Sequence, residues 1–154
     1  MIASRVDEEA AVLGASYADG VVAGERIARG AIQVVQVTER QWARYLAEYA
    51  MGQGEKDSVE LCGQVEGIEA LVTDDYLAFV AATRQRLKVW MLPDLIIELA
   101  TREEVSLEVA GTILDVMRPC YRRGVIAHSL AHLQEVRKRV ESRSASEGGD
   151  STGC

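Results

Sequence analysis

The stretch Glu69-Ala-Leu-Val-Thr-Asp-Asp75 decides the predicted fold, because a short apolar run leads directly into two acidic residues. Such a run is typical of a parallel strand that is buried on both faces. A helical pattern then extends to about Arg86, and a second short run, Leu87-Lys-Val-Trp-Met91, ends before Pro93. Strand, helix and strand in this order predict a parallel crossover unit.

The chain before this unit shows the same alternation. Residues 7–28 are rich in Ala, Val and Glu and predict one helix, or two that break near Gly20, closed by Gly30. The β-branched segment 31–37 predicts a strand. Apolar positions at helical spacing predict a helix that begins at Thr38, and a further helix covers about 55–65.

The chain after the unit is predicted to be helical. Helices are expected over 94–99, over 106–117 before Pro119, and over about 125–142. The polar segment 143–154 is expected to be disordered. The whole pattern predicts an α/β fold: one domain, residues 1–142, with a three-layer parallel sheet and helices on both faces.

Composition narrows the class of protein. The 154 residues carry a formal net charge of -7, which argues against a high-affinity nucleic-acid coat and leaves a nuclease open. Segment 115–143 is basic, so an acidic body is expected to carry a basic C-terminal helix. Three distant cysteines fit neither a disulfide framework nor a zinc site, and no signal peptide or membrane-spanning run is visible. A cytoplasmic protein is expected.

Two acidic clusters are the candidate site. One holds Glu55 and Asp57 at the start of a helix, and the other holds Asp74 and Asp75 directly after a strand. Because ligands bind beyond the carboxyl ends of parallel strands, the clusters are expected to share one edge of the sheet. Converging carboxylates would suit Mg²⁺ or Mn²⁺ and would serve phosphodiester hydrolysis. The alternative is that these carboxylates only cap helices and stabilise the helix dipole.

These motifs, in this order, resemble the PIN-type metal-dependent nucleases. The segment Gly54-Glu-Lys-Asp-Ser-Val-Glu-Leu-Cys62 is similar to a family helix that carries acidic ligands, and Ala70-Leu-Val-Thr-Asp-Asp75 to its strand with two aspartates. The resemblance covers roughly residues 26–135. Further matching segments are Gly30–Val35, Leu87–Leu95, Ser106–Leu114 and Met117–Tyr121.

The resemblance implies a PIN-like, Rossmann-like fold and a ribonuclease of the toxin–antitoxin kind. Its carboxylates would be Glu55, Asp57, Asp74 and Asp75. It also implies a homodimer, a small antitoxin partner, and RNA phosphates bound by basic residues near Arg122 and Arg123.

The start of the chain departs from the family, which opens with a strand followed by a metal-binding Asp. No such strand is predicted in Met1-Ile-Ala-Ser-Arg-Val-Asp7, so the domain is expected to be N-terminally incomplete. Glu8, Glu9 or Glu25 are the candidate replacements. The prediction is therefore a weakened ribonuclease or, as the alternative, a non-catalytic PIN-like module that acts through protein contacts.

Other conspicuous residues have plainer interpretations. His128 and His132 are predicted to lie on the surface, and Cys62 in the core. Residues Trp42, Tyr45 and Tyr49 are predicted to be core, with a dimer face as the alternative. The run 137–139 is expected to be a solvated helix end, or else a contact with nucleic acid or a protein partner.

Overall fold

The computed structural model describes residues 1–14 and 16–147, and the chain forms two compact units. The first unit covers Met1–Trp90, and the second begins at Met91. Among the described residues, no helix is long and apolar enough to cross a membrane.

The first half of the first unit is mainly helical. Its elements are strand β1 (Ile2–Ala3), helix α1 (Ser4–Asp7), a π-helical segment (Glu8–Val12), helix α2 (Ala18–Ala28) and strand β2 (Val34–Val35). Strands β1 and β2 pair in parallel, with Ile2 opposite Val34. Gly30 follows α2 with a φ of 72°, which confirms the predicted helix end, because glycine adopts this left-handed backbone without steric cost.

The second half of this unit contains both acidic clusters. Its elements are α3 (Ala43–Leu46), α4 (Gln53–Gln64), β3 (Leu71–Val72), α5 (Tyr76–Arg84) and β4 (Val89–Trp90). Strands β3 and β4 are parallel, with Leu71 opposite Val89. The apolar faces of α3, α4 and α5 meet β3 in one buried cluster, formed by Leu46, Val59, Leu71, Ala78, Ala81 and Ala82.

The second unit consists of three helices with a core of their own. They are α6 (Leu92–Thr101), α7 (Leu107–Val116) and α8 (Arg123–Glu147). Pro93 stands in the first turn of α6, where its missing N–H has no helical partner to lose. The Ser106 hydroxyl accepts a hydrogen bond from the Val109 amide and so caps α7. The core side chains include Ile96, Ile97, Ala110, Leu114, Ile126, Leu133 and Val136.

The predicted three-layer parallel sheet is wrong. Strands occur within all three predicted segments and pair in parallel, but each is two residues long, in two separate two-stranded sheets. A central parallel strand must be covered on both faces, whereas Val34 and Val72 are exposed. Helices α6, α7 and α8 bury their apolar residues in a shared core.

Both ends of the domain also differ from the prediction. A two-residue strand, β1, precedes α1 although none was predicted there, and Ser4 rather than an aspartate follows this strand directly. Helix α8 continues to Glu147, so residues 143–147 are helical rather than disordered. The rest of the predicted tail, 148–154, lies outside the described residues.

Candidate functional site

The four predicted ligands lie at the starts of two helices in the first unit. Glu55 and Asp57 stand in the opening turns of α4, and Asp74 and Asp75 directly precede α5. The sequence therefore placed the helix starts correctly. Their surroundings decide whether these carboxylates are free to act as ligands.

Asp57 is buried and already bound by other side chains. Its Oδ1 accepts a hydrogen bond from Arg40 Nη1 at 2.7 Å and a second from Gln53 Nε2 at 2.6 Å. Only 8% of the Asp57 side chain is exposed, against 45% for Arg40. The hydrogen bond to Asp57 raises the pKa of the Arg40 guanidinium. The negative charge of Asp57 is thus compensated by the permanent positive charge of Arg40.

Glu60, one turn further along α4, is a buried carboxylate that the sequence analysis did not identify. The residue is 1% exposed. Its two oxygens accept hydrogen bonds from the Trp42 backbone N–H, at 2.9 and 3.1 Å. Because Trp42 stands directly before α3, Glu60 satisfies a backbone donor at the start of that helix. Its spacing of three from Asp57, which puts both on one helical face, was the available signal.

Asp75 caps α5. Its Oδ1 accepts a hydrogen bond from the Ala78 amide at 2.7 Å, and its own amide donates to Thr73 Oγ1 at 3.2 Å. This is the N-cap geometry that aspartate favours at helix starts. Asp74 is exposed beside it. The alternative of a plain helix cap therefore describes what Asp75 does in this structure.

Glu9, one of the candidate replacements for the missing aspartate, packs against the start of α4. A β-carbon on Gly54 would lie 2.9 Å from Glu9 Oε2, so the glycine permits this close approach. Arg5 faces the same carboxylate, with its Nε 3.5 Å from Glu9 Oε1. Glu55 is half-buried and folds back toward Gly52. Glu9 and Glu55 thus both lie near the first turn of α4.

The described carboxylates do not form a metal cage. In residues 1–14 and 16–147, no group of three or more His, Cys, Asp or Glu side chains is placed to hold a metal ion. Asp57 is occupied by two donors and Asp75 by a helix amide. A Mg²⁺ or Mn²⁺ ion needs several free oxygens around one point. As arranged, these residues do not fit such an ion.

The predicted surface and core residues lie largely as expected. Arg122, Arg123, His128 and His132 are all exposed, which confirms the surface position of the two histidines. The aromatic residues Trp42, Tyr45 and Tyr49 pack against the core of the first unit, with Tyr45 and Tyr49 ring centroids 5.2 Å apart. All three are partly buried, so they flank the core that they were predicted to form.

A surface groove beside α2 was not predicted. Leu13 is 71% exposed and Tyr17 69% exposed, and both line a groove of about 530 Å³ between the π-helical segment and α2. Glu9 and Asp19 also line it. Val21 and Val22 on α2 are exposed as well. This surface, the Leu13–Tyr17 groove, presents large apolar side chains to solvent.

No family model matches the chain, and no curated protein or solved structure matches it. The resemblance to PIN-type nucleases therefore stays a prediction that rests on the order of its motifs, chiefly Gly54–Cys62 and Ala70–Asp75.

Proposed function

We propose that this chain is a non-catalytic module that acts through protein contacts. The observation that carries the proposal is the pairing of Asp57 with Arg40 at 2.7 Å. A carboxylate that serves a metal ion must keep its lone pairs available for the ion. Here a guanidinium and an amide donate to the same oxygen, so Asp57 stabilises the fold instead.

Two further carboxylates of the first unit, one of them outside the predicted site, support the same conclusion. Asp75 and Glu60 each accept hydrogen bonds from backbone amides at helix starts. Such bonds satisfy donors that a helix cannot satisfy internally. A metal ion would have to break these contacts and displace a permanent cation from Asp57. The arrangement therefore favours structural carboxylates over catalytic ones.

The contact role is proposed for the Leu13–Tyr17 groove. Large apolar side chains exposed together on a protein surface commonly mark an interaction site. Tyrosine suits this use because it combines a large apolar ring with a hydrogen-bonding hydroxyl. Leu13 and Tyr17, each about 70% exposed, line one concave surface.

The non-catalytic part is tested by titrating Mn²⁺ into the full chain and measuring the heat of binding. We expect no saturable binding, and no Mn²⁺-dependent cleavage of single-stranded RNA. Two variants complete the experiment, Asp57→Asn and Asp75→Asn, the second of which keeps an N-cap oxygen. Saturable binding and RNA cleavage that both variants lose would overturn the proposal and establish the metal-dependent ribonuclease.

The contact part is tested with matched surface variants. Leu13→Asp and Tyr17→Asp each place a charge in the groove, while Val116→Asp charges an equally exposed apolar position (73%) in the second unit. A partner protein captured by the parent chain should be lost by the two groove variants and kept by Val116→Asp. The loss must recur with the purified partner. Equal capture by all four chains would rule out the groove as the contact surface.

A further inference from the structure

A second concave site lies inside the first unit, between β1, α4 and β3. The cavity has a volume of about 460 Å³, and most of the side chains that line it are apolar. Pockets of 300–1,000 Å³ are the usual size of small-molecule sites in proteins. Prominent lining residues are Val6, Leu61, Ile68, Leu71 and Trp90. This β1–β3 cavity is separate from the Leu13–Tyr17 groove, with which it shares no lining residue.

Few charged groups line the β1–β3 cavity. Glu69 is the one lining side chain with a formal charge among the described residues, and its Oε1 lies 3.5 Å from Lys88 Nζ. The same ammonium group lies 4.3 Å from the centroid of the Trp90 ring. Cys62 lines the cavity as a neutral thiol, because burial raises its pKa to about 11. The α-ammonium of Met1, another lining residue, acts on Cys62 in the opposite direction but more weakly than burial. The apolar majority of the lining therefore favours a mainly apolar ligand.

The cavity wall also offers backbone hydrogen-bonding groups. The amides of Leu71 and Thr73 donate to carbonyls in or beside β4, at 2.9 and 3.0 Å. Because successive residues of a parallel strand direct their polar groups to opposite sides, the N–H and C=O of Val72 are directed away from β4. Val72 lines the cavity. One polar group of an otherwise apolar ligand can therefore bond to the wall.

We propose that the β1–β3 cavity binds a mainly apolar small molecule with one hydrogen-bonding group. The inference goes beyond the proposed protein contacts and does not depend on them, since it rests on different residues. Such a ligand gains from the apolar wall by leaving water, and its polar group gains orientation from the Val72 backbone.

The test uses indole, which is uncharged, apolar and carries one N–H donor. Alkylation of each cysteine by N-ethylmaleimide is followed by mass spectrometry as indole is added to the full chain. Cys62 lines the cavity, and exposed Cys120 in the second unit is the internal reference. At about ten times the dissociation constant, the Cys62 rate should fall about tenfold, because only the empty cavity reacts. The Cys120 rate should stay constant.

A cavity-filling variant keeps the result specific. Ala70→Leu fills part of the cavity and should abolish the protection by indole. If this variant does not fold, the melting temperature of the parent chain tests the proposal instead. This temperature must rise when indole is added. No protection, equal protection of both cysteines, or an unchanged melting temperature would overturn the proposal.

Discussion

At the scale of single residues, the partner of a carboxylate determines its role. Asp57 was predicted from its position to be a metal ligand, but its neighbour Arg40 comes from a loop 17 residues earlier in the chain. Nothing in the local sequence of α4 indicates that contact, since the pairing depends on how the loop packs on the helix. Asp75 differs, because its cap bond to Ala78 is local and was an alternative from sequence alone.

Replacing Arg40 tests whether Asp57 is structural. Arg40→Ala leaves a buried carboxylate with Gln53 as its remaining donor, and we expect it to lower the free energy of unfolding by about 1–2 kcal/mol, a value reduced for the partial exposure of Arg40. Urea denaturation measures the change. Exposed Arg44 provides the control, because Arg44→Ala should stay within about 0.5 kcal/mol. In the Asp57→Asn background, Arg40→Ala should lower the free energy of unfolding by less than it does in the parent chain. An equal decrease in both backgrounds would show that the ion pair contributes nothing to stability.

The raised pKa of the Cys62 thiol predicts how the stability of the chain depends on pH. Burial raises the pKa of Cys62 from 9.0 to about 11, so the folded chain holds this proton more tightly than the unfolded chain does. The resulting stability is fully present below pH 9 and is lost as the pH rises toward 11. Urea midpoints across this range should therefore fall more steeply for the parent chain than for Cys62→Ala. Parallel slopes would contradict the prediction.

At the scale of elements, the contacts between helices give glycines opposite roles. Gly63 on α4 faces the Trp42 ring, and a β-carbon there would lie 2.5 Å from its Cη2 atom. In contrast, a β-carbon on Gly24 in α2 would meet nothing within 4 Å. Gly63 is therefore needed for packing, whereas Gly24 only adds backbone freedom to a helix interior.

This contrast predicts opposite effects from the same substitution. Gly63→Ala must displace the Trp42 ring and should lower the free energy of unfolding by about 1–3 kcal/mol. Gly24→Ala improves helix propensity without a clash and should raise it by about 0.5–1 kcal/mol. Thermal unfolding of the two variants beside the parent chain provides the comparison. Stabilisation by Gly63→Ala would show that the Trp42 contact is dispensable.

The sequence patterns predicted the positions of the strands better than they predicted the lengths of the strands. Predicted strands over 31–37, 69–73 and 87–91 each contain a real strand, but only two residues of each pair with a neighbour. The apolar pattern marks residues that avoid water, and it does not show whether a second strand lies alongside them. Strand β1 was missed because two residues, Ile2 and Ala3, are too few to form a pattern.

At the scale of the whole molecule, the error in the fold came from long-range choices. Helices α6, α7 and α8 were predicted near their observed positions. The surfaces on which these helices pack were not predicted correctly. An apolar helix face gives the same sequence signal whether it packs on a sheet or on other helices. The shared core of these three helices therefore could not be distinguished from a sheet-covering layer.

The two parallel strand pairs close loops of different length, and this sets an order of folding. Strands β1 and β2 join residues 32 positions apart, whereas β3 and β4 join residues 18 positions apart. Closing the shorter loop costs about 0.5 kcal/mol less entropy, and α5 fills it with local hydrogen bonds. We expect the β3–α5–β4 segment to form first during folding.

Stopped-flow refolding measures this order through two buried alanines. Both alanines are buried. Ala81→Gly in α5 should mainly slow folding, because Ala81 is expected to be structured in the transition state. Ala3→Gly in β1 should mainly speed unfolding, because Ala3 is expected to pack only afterwards. The reverse pattern would place the nucleus at the start of the chain. If the expected order holds, the segment that carries Asp75 is the first part of the chain to acquire its native shape.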